Sequence, residues 1–266
     1  MPSITSENSC ARCLGRMNKT GKNCGKKASL GYQPMPTGGP LGRNRNTTFS
    51  NLKAKLSKEQ LDAPVYAYVV TTVKLDRATQ VFRQEGSAPN FQGQRITLCT
   101  CKHKDRSSPP RWDCRGPDKN SPWKGVWVAG ICSSTQTYPR ALFYLTQIGE
   151  AADSYPDLWE VLPYPKAKSA TNSPLGDVFE YRSGPKWRAS SYAPSHGDHV
   201  HAGGVRRADI EAVYYKRRPK LLMGDPKQSY LWDSPSIQFT QEAHDDWRSA
   251  HHRFIPKLST FLLYLK

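Results

Sequence analysis

The chain has 266 residues, 37% of them hydrophobic and 11% aromatic, and a formal charge of +17, so it is long enough to bury a sizeable core. No run approaches the roughly 18 apolar residues of a membrane-spanning helix, and the start MPSITSENSC has no apolar segment behind a basic one; no membrane association is expected, and the cytoplasm is the expected compartment. The surplus of cations points instead to a polyanion, nucleic acid above all.

Residues 1 to 60 hold eleven Lys or Arg against Glu7 and Glu59, more than half of the whole surplus. Their Gly, Pro, Asn, Ser and Lys content, with GYQPMPTGGPLGRNRNTT at the centre, predicts a basic flexible arm over 1–60, followed by a single domain over 61–266. Ser57 with Gln60 three residues on predicts a capped turn at the entrance to that domain. Seven cysteines with no secretory signal read as reduced thiols. Cys10, Cys13 and Cys24 have the spacing of half a zinc site plus one further ligand; a fourth is missing nearby, and no cofactor is expected.

The body opens with VYAYVVTTV (65–73), β-branched and aromatic, a buried strand. RITLCTC (95–101) predicts a second strand after the loop EGSAPNFQGQ, and the polar, Pro-rich KHKDRSSPPRWDCRGPDKNSP predicts a structureless surface loop. WKGVWVAGICS (123–133) and ALFYLTQIGEA (141–151) predict adjacent strands, and ADSYPDLWEVLP a short helix. DVFEYR (177–182) and KWRASSY (186–192) flank a turn at Ser183-Gly184-Pro185. KLLMG (220–224) reads as a late strand, with SYLWD carrying exposed aromatics. Ala243, Trp247, Ala250 and Phe254, three and four apart, predict an amphipathic helix across TQEAHDDWRSAHHRF. Strands dominate and helices are short, so the expected class is α+β: a strand-rich mixed sheet, or a small barrel, with a C-terminal helix.

Three blocks carry a resemblance: YAYVV with SAPNFQGQRITLCTCK; WVAGICSS leading into LFYLTQIGEA; and GDVFEYRSGPKW, HGDHVH and LLMGDPKQSYLWD. Over about residues 64–240 the chain resembles the nucleotide-modification-associated domain family of phage and bacterial DNA-modification systems. Where that family often has Gly-Asp before the central strand, this chain has Lys124-Gly125. The resemblance implies an α+β domain associated with modified bases or their nucleotides, without handing over a catalytic residue. The strand pattern is also similar to the small barrels of PUA-like and EVE type, a likeness of fold alone.

A nucleobase pocket needs a flat aromatic wall, partners for the base edge and cations for phosphate. Asn90, Trp127, Tyr230 and Trp232 are candidates for edge reading and stacking, and Arg182, Lys186 and Arg188 form a basic cluster around Trp187; the competing reading places Trp127 and the tyrosines in the core. The stretch SHGDHVHAGG concentrates His196, Asp198, His199 and His201. Gly197-Asp198, like Gly176-Asp177, reads as a turn whose carboxylate caps backbone N–H groups. Alternatively, Asp198 accepts from a base edge with the imidazoles as donors, or all four side chains hold a metal in a hydrolase or nuclease. With no GxSxG, Walker-type loop, HExxH or zinc-deaminase motif, the expectation is a module binding DNA or modified nucleotides rather than an enzyme.

Overall fold

The computed structural model describes residues 33–34, 44–71, 73–76, 78–84, 90–92, 95–99, 102–106, 110, 112–132, 140–162, 179–181, 183–185, 192–194, 200–201, 204–205, 219–247 and 251–266. In chain order the elements are β1 (Gln33–Pro34), α1 (Phe49–Lys55), α2 (Lys58–Asp62), β2 (Val65–Val70), β3 (Val73–Leu75), β4 (Phe82–Gln84), β5 (Asn90–Gln92), β6 (Arg95–Leu98) and α3 (His103–Arg106). After a 3-10 turn at Trp112–Cys114 come β7 (Trp127–Cys132), β8 (Leu142–Ala152), α4 (Tyr155–Val161), β9 (Phe179–Tyr181), β10 (Tyr192–Pro194), β11 (Val200–His201) and β12 (Gly204–Val205). The chain closes with β13 (Leu221–Leu231), α5 (Gln241–Asp246), β14 (His252–Ile255) and α6 (Leu258–Leu262).

The fold is α+β around a mixed sheet of 7 strands in the order β14-β2-β7-β8-β13-β6-β5. Only β2 and β7 run parallel; the other pairs in this sheet are antiparallel. The sheet is open, with β14 and β5 at its two edges, so the barrel alternative does not hold. Parallel neighbours need a crossover, and here it runs from the end of β2 to the start of β7 and includes β5 and β6, which pair at the far edge.

Every residue of β2 and of β7 is buried, as expected for strands covered on both faces. On one face Val65, Ala67, Trp127, Ala129, Leu142, Leu145, Tyr230 and Trp232 pack under Leu52 and Leu56 from the N-terminal side and Ala243, Leu258 and Phe261 from the C-terminal side. On the other, Tyr66, Tyr68, Val70, Val128, Phe143, Tyr144 and Leu231 pack against Val73, Phe82 and Trp123. Phe143 and Tyr144 reach the same face because the β7–β8 register slips between Gly130 and Ile131.

Three sequence expectations change. Parts of the segment assigned to a flexible arm belong to the body: β1 pairs with β4, Leu52 is wholly buried, and the Trp232 indole N–H donates to the Thr47 carbonyl at 2.7 Å. Arg45 makes a bidentate pair with Asp233, which Asn46 also contacts. The expected helix over 240–254 ends at Asp246, and His252–Ile255 instead pairs with β2 as an edge strand. KLLMG and SYLWD are one strand, β13, whose register against β8 slips between Gly224 and Ser229. The extra residues hold the Asp225 side chain, which accepts from the Lys227 N–H, and Pro226, a residue confined in sheets to edges and bulges.

Candidate functional site

Alternation along β2 sends Tyr66 and Tyr68 to the same face. Across the β14 edge Tyr68 lies opposite His252 and Tyr66 opposite Phe254. On its other side Tyr68 lies opposite Gly130 of β7, and Gly130 opposite Tyr144 of β8. Gly130 is required here: a Cβ at this position would come 2.1 Å from Cε1 of Tyr144. With that space kept clear, the Tyr144 hydroxyl donates to the Tyr68 hydroxyl at 2.8 Å. The rings of Tyr66 and Tyr68 are stacked, with centroids 5.6 Å apart.

Over this row lies α3. The Tyr66 hydroxyl donates to Asp105 Oδ2 at 2.6 Å, and His252 Nε2 is 3.7 Å from Asp105 Oδ1. The Lys102 ammonium is 5.6 Å from the centre of the Tyr68 ring, within cation–π range. Arg106, 1% exposed, pins the helix: its guanidinium donates to the carbonyls of Cys99 and Lys220, and the Lys220 N–H donates to the Arg106 carbonyl. Trp123 meets Tyr66 edge to face and has no hydrogen-bond acceptor for its indole N–H among the described residues.

Burial, followed by the neighbouring Asp105 carboxylate, pushes the Tyr66 phenol far above its ordinary value. Tyr66 is therefore a permanently neutral donor rather than a base or nucleophile. Its work is to hold Asp105 in place, and Asp105 in turn faces the half-exposed imidazole of His252, its partner when protonated. The three rings are almost wholly buried, Tyr66 at 0%, Tyr68 at 2% and Tyr144 at 1% exposure, so they offer no stacking face to solvent. What the cluster presents outward is His252 and Lys102.

The chain matches no family model, no curated protein and no solved structure.

The aromatic wall expected from the sequence lies elsewhere, and inside. Trp127 and Trp232 are 0% exposed and Tyr230 2%, all in the core of the face opposite Tyr66. Trp127 donates its N–H to the Gln60 carbonyl, and Tyr230 stacks on Trp232 at 14°. Burial raises the Tyr230 phenol as well. Asn90 begins β5 at the sheet edge. Of the histidine-rich stretch, His201 lies in β11 opposite Gly204 of β12. Asp177, Arg182, Lys186, Arg188, His196, Asp198 and His199 lie outside the described residues, as do Cys10, Cys13 and Cys24. Among the described residues no three His, Cys, Asp or Glu side chains gather closely enough to hold a metal ion. Cys99, Cys114 and Cys132 are buried, and burial pushes the Cys132 thiol up to about 11, the environment of an inert cysteine.

The sequence reading missed Tyr66, Tyr68, Tyr144, Asp105 and His252. The Tyr-x-Tyr alternation within YAYVV was a usable signal, because two aromatic hydroxyls on one face of a buried strand need hydrogen-bond partners. For Asp105 and His252 the sequence carried none.

Proposed function

We propose that the protein is a nucleic-acid-binding module, and that its ligand is modified DNA or modified nucleotides. The observation that supports nucleic acid is the uncompensated positive charge. The +17 surplus stands beside carboxylates that, among the described residues, are largely engaged within the fold. Asp233 pairs with Arg45, Glu150 with Arg95, Asp153 with Lys220, Asp246 with Arg253 and Asp62 with Lys257. Asp76, Asp118 and Asp225 accept from backbone N–H groups of their own turns. The basic character left over suits a phosphate backbone, whose binding is driven by counterion release. Modified bases enter from the resemblance of the three sequence blocks, and no helix among the described residues is long and apolar enough to cross a membrane.

The test is the salt dependence of binding to a fluorescein-labelled 20-base-pair duplex, for the full chain and for a variant with Arg12, Arg16, Lys19, Lys22, Lys26 and Lys27 changed to Gln. The slope of log K against log salt should be steep for the native chain. It should fall by about 0.9 for each of those cations that rests on a phosphate. An absence of duplex binding at low salt sinks the reading. A parallel titration with duplexes carrying modified and ordinary bases decides the finer part: equal affinity for both removes the modified-base ligand and leaves a general DNA binder.

A further inference from the structure

The crossover into β7 contains a compact loop, Arg115 to Gly125, that packs on the tyrosine face. Trp123, wholly buried, anchors it against Tyr66 and Phe254. Its two limbs are in backbone contact: the Gly116 N–H donates to the Pro122 carbonyl at 2.8 Å, and a Cβ at Gly116 would lie 1.7 Å from the Lys124 carbonyl oxygen. Gly125, at φ +85°, turns the chain into the sheet, where its N–H donates to the Ile148 carbonyl and its own carbonyl accepts from Gln147. The loop is therefore held at both limbs and at its exit.

Arg115, Lys119 and Lys124 are exposed on it. The one carboxylate of the loop, Asp118, faces inward to the N–H groups of Asn120 and Ser121 at 2.9 and 3.3 Å. Neither Lys119 nor Lys124 has a partner for its ammonium among the described residues. The acidic residues of β8 and its end, Glu150 and Asp153, pair with Arg95 and Lys220. The rival basic surface, on α1 and α2 across the sheet, is different. There Lys53 lies over the Phe49 ring, Lys55 contacts Asn44, and Lys58 acts on Asp62.

Building on the nucleic-acid reading above, we infer that the loop Arg115–Gly125 is the body's contact for the nucleic-acid backbone, with Lys119 and Lys124 placed on phosphates and Arg115 beside them. Lys119 and Lys124 are unengaged among the described residues, while the Arg115 guanidinium donates to the Pro110 carbonyl at 3.0 Å; cations on a loop held this way lose little conformational freedom on binding, so the Coulombic gain is not spent on ordering. The contact is to phosphate and carries no base preference of its own.

The experiment uses the full chain with its native N-terminal segment and the same labelled duplex, measured by anisotropy from 50 to 300 mM KCl. Lys119→Gln with Lys124→Gln touches no side-chain contact among the described residues and should leave the urea midpoint unchanged. It should weaken binding at low salt and lower the salt slope by up to about 1.8, two phosphates at about 0.9 each. Adding Arg115→Gln should lower the slope further. The matched pair Lys53→Gln with Lys58→Gln, on the other face of the sheet, should change the slope by less than half as much. A loop pair that leaves both affinity and slope unchanged, or loses no more than the α1–α2 pair, overturns the inference while the nucleic-acid reading stands. A native chain that binds no duplex removes that reading and the inference with it.

Discussion

Replacing Gly130 by alanine tests the packing that builds the tyrosine row. The new methyl would lie 2.1 and 2.3 Å from Cε1 and Cδ1 of Tyr144 and 2.8 Å from Cζ of Phe143, so both rings must move inside a core where neither is more than 1% exposed. Overpacking of this kind costs roughly 1–3 kcal/mol. Displacing Tyr144 also breaks its bond to Tyr68, worth about 1 kcal/mol. Against this, a strand gains roughly 0.5–1 kcal/mol when alanine replaces glycine, leaving a net loss of about 1–3 kcal/mol. Urea unfolding followed by tryptophan fluorescence measures it. Repeating the substitution on a Tyr144→Leu background isolates the ring, and the penalty should shrink there by about 1 kcal/mol, a coupling expected of residues in contact. A Gly130→Ala protein within about 0.5 kcal/mol of the native one, or an equal penalty on both backgrounds, would refute the close approach of Tyr144 to β7.

Leu52→Ala should destabilise the protein by about 2–5 kcal/mol, as for other fully buried leucines, while Lys53→Ala on the same helix stays within about 0.5 kcal/mol; equal, small effects in urea would return this segment to the arm. Because Cys132 holds its proton up to about 11 where a free thiol titrates at 9.0, the folded chain binds more protons in that interval and stability falls as pH rises through it. Cys132→Val should flatten that fall in urea titrations at pH 8.5, 9.5 and 10.5, and native Cys132 should resist iodoacetamide at pH 8 as judged by peptide mass; ready alkylation contradicts its burial. Trp232→Phe should cost roughly 1–3 kcal/mol through the lost bond to Thr47 and the smaller ring. The same substitution should leave the duplex affinity of the folded protein unchanged, and a loss of affinity at unchanged stability would restore Trp232 as a ligand wall.

The strands that were legible in the sequence are those buried on both faces. VYAYVV and WVAGIC are almost unbroken apolar runs because core lies on either side of them, and no polar position is needed. The edge strand His252–Ile255 was not legible. Phe254 falls at helical spacing from Ala243 and Trp247, and local pattern cannot see that β2 has an open edge to be paired; the long-range partner decides the conformation. Leu52 and Leu56 were hidden by composition: two leucines four apart in a lysine-rich stretch are a weak helical signal, yet with Phe49 they complete an i, i+3, i+7 face. The crossover read as a plain surface loop for the same reason. Arg106 looks like a solvated cation until the carbonyls of Cys99 and Lys220 are brought to it from β6 and β13.

The sheet sorts the aromatics into two sets, and that sorting limits what the body can recognise. Trp127, Tyr230 and Trp232 lie under α1, α5 and α6, and the two indole N–H groups serve the fold, reaching back to Gln60 and Thr47 in the segment before β2. Tyr66, Tyr68 and Tyr144 lie on the opposite face, and their hydroxyls are likewise engaged, with Asp105 and with each other. Neither set offers a free ring face to a base. Base discrimination, if the protein performs it, has to come from side chains outside these two cores. Asn90, Asp177, the histidine-rich stretch from His196 to His201 and the basic cluster of Arg182, Lys186 and Arg188 are the sequence's remaining candidates for that task, while affinity that is indifferent to sequence is what Lys119 and Lys124 would supply.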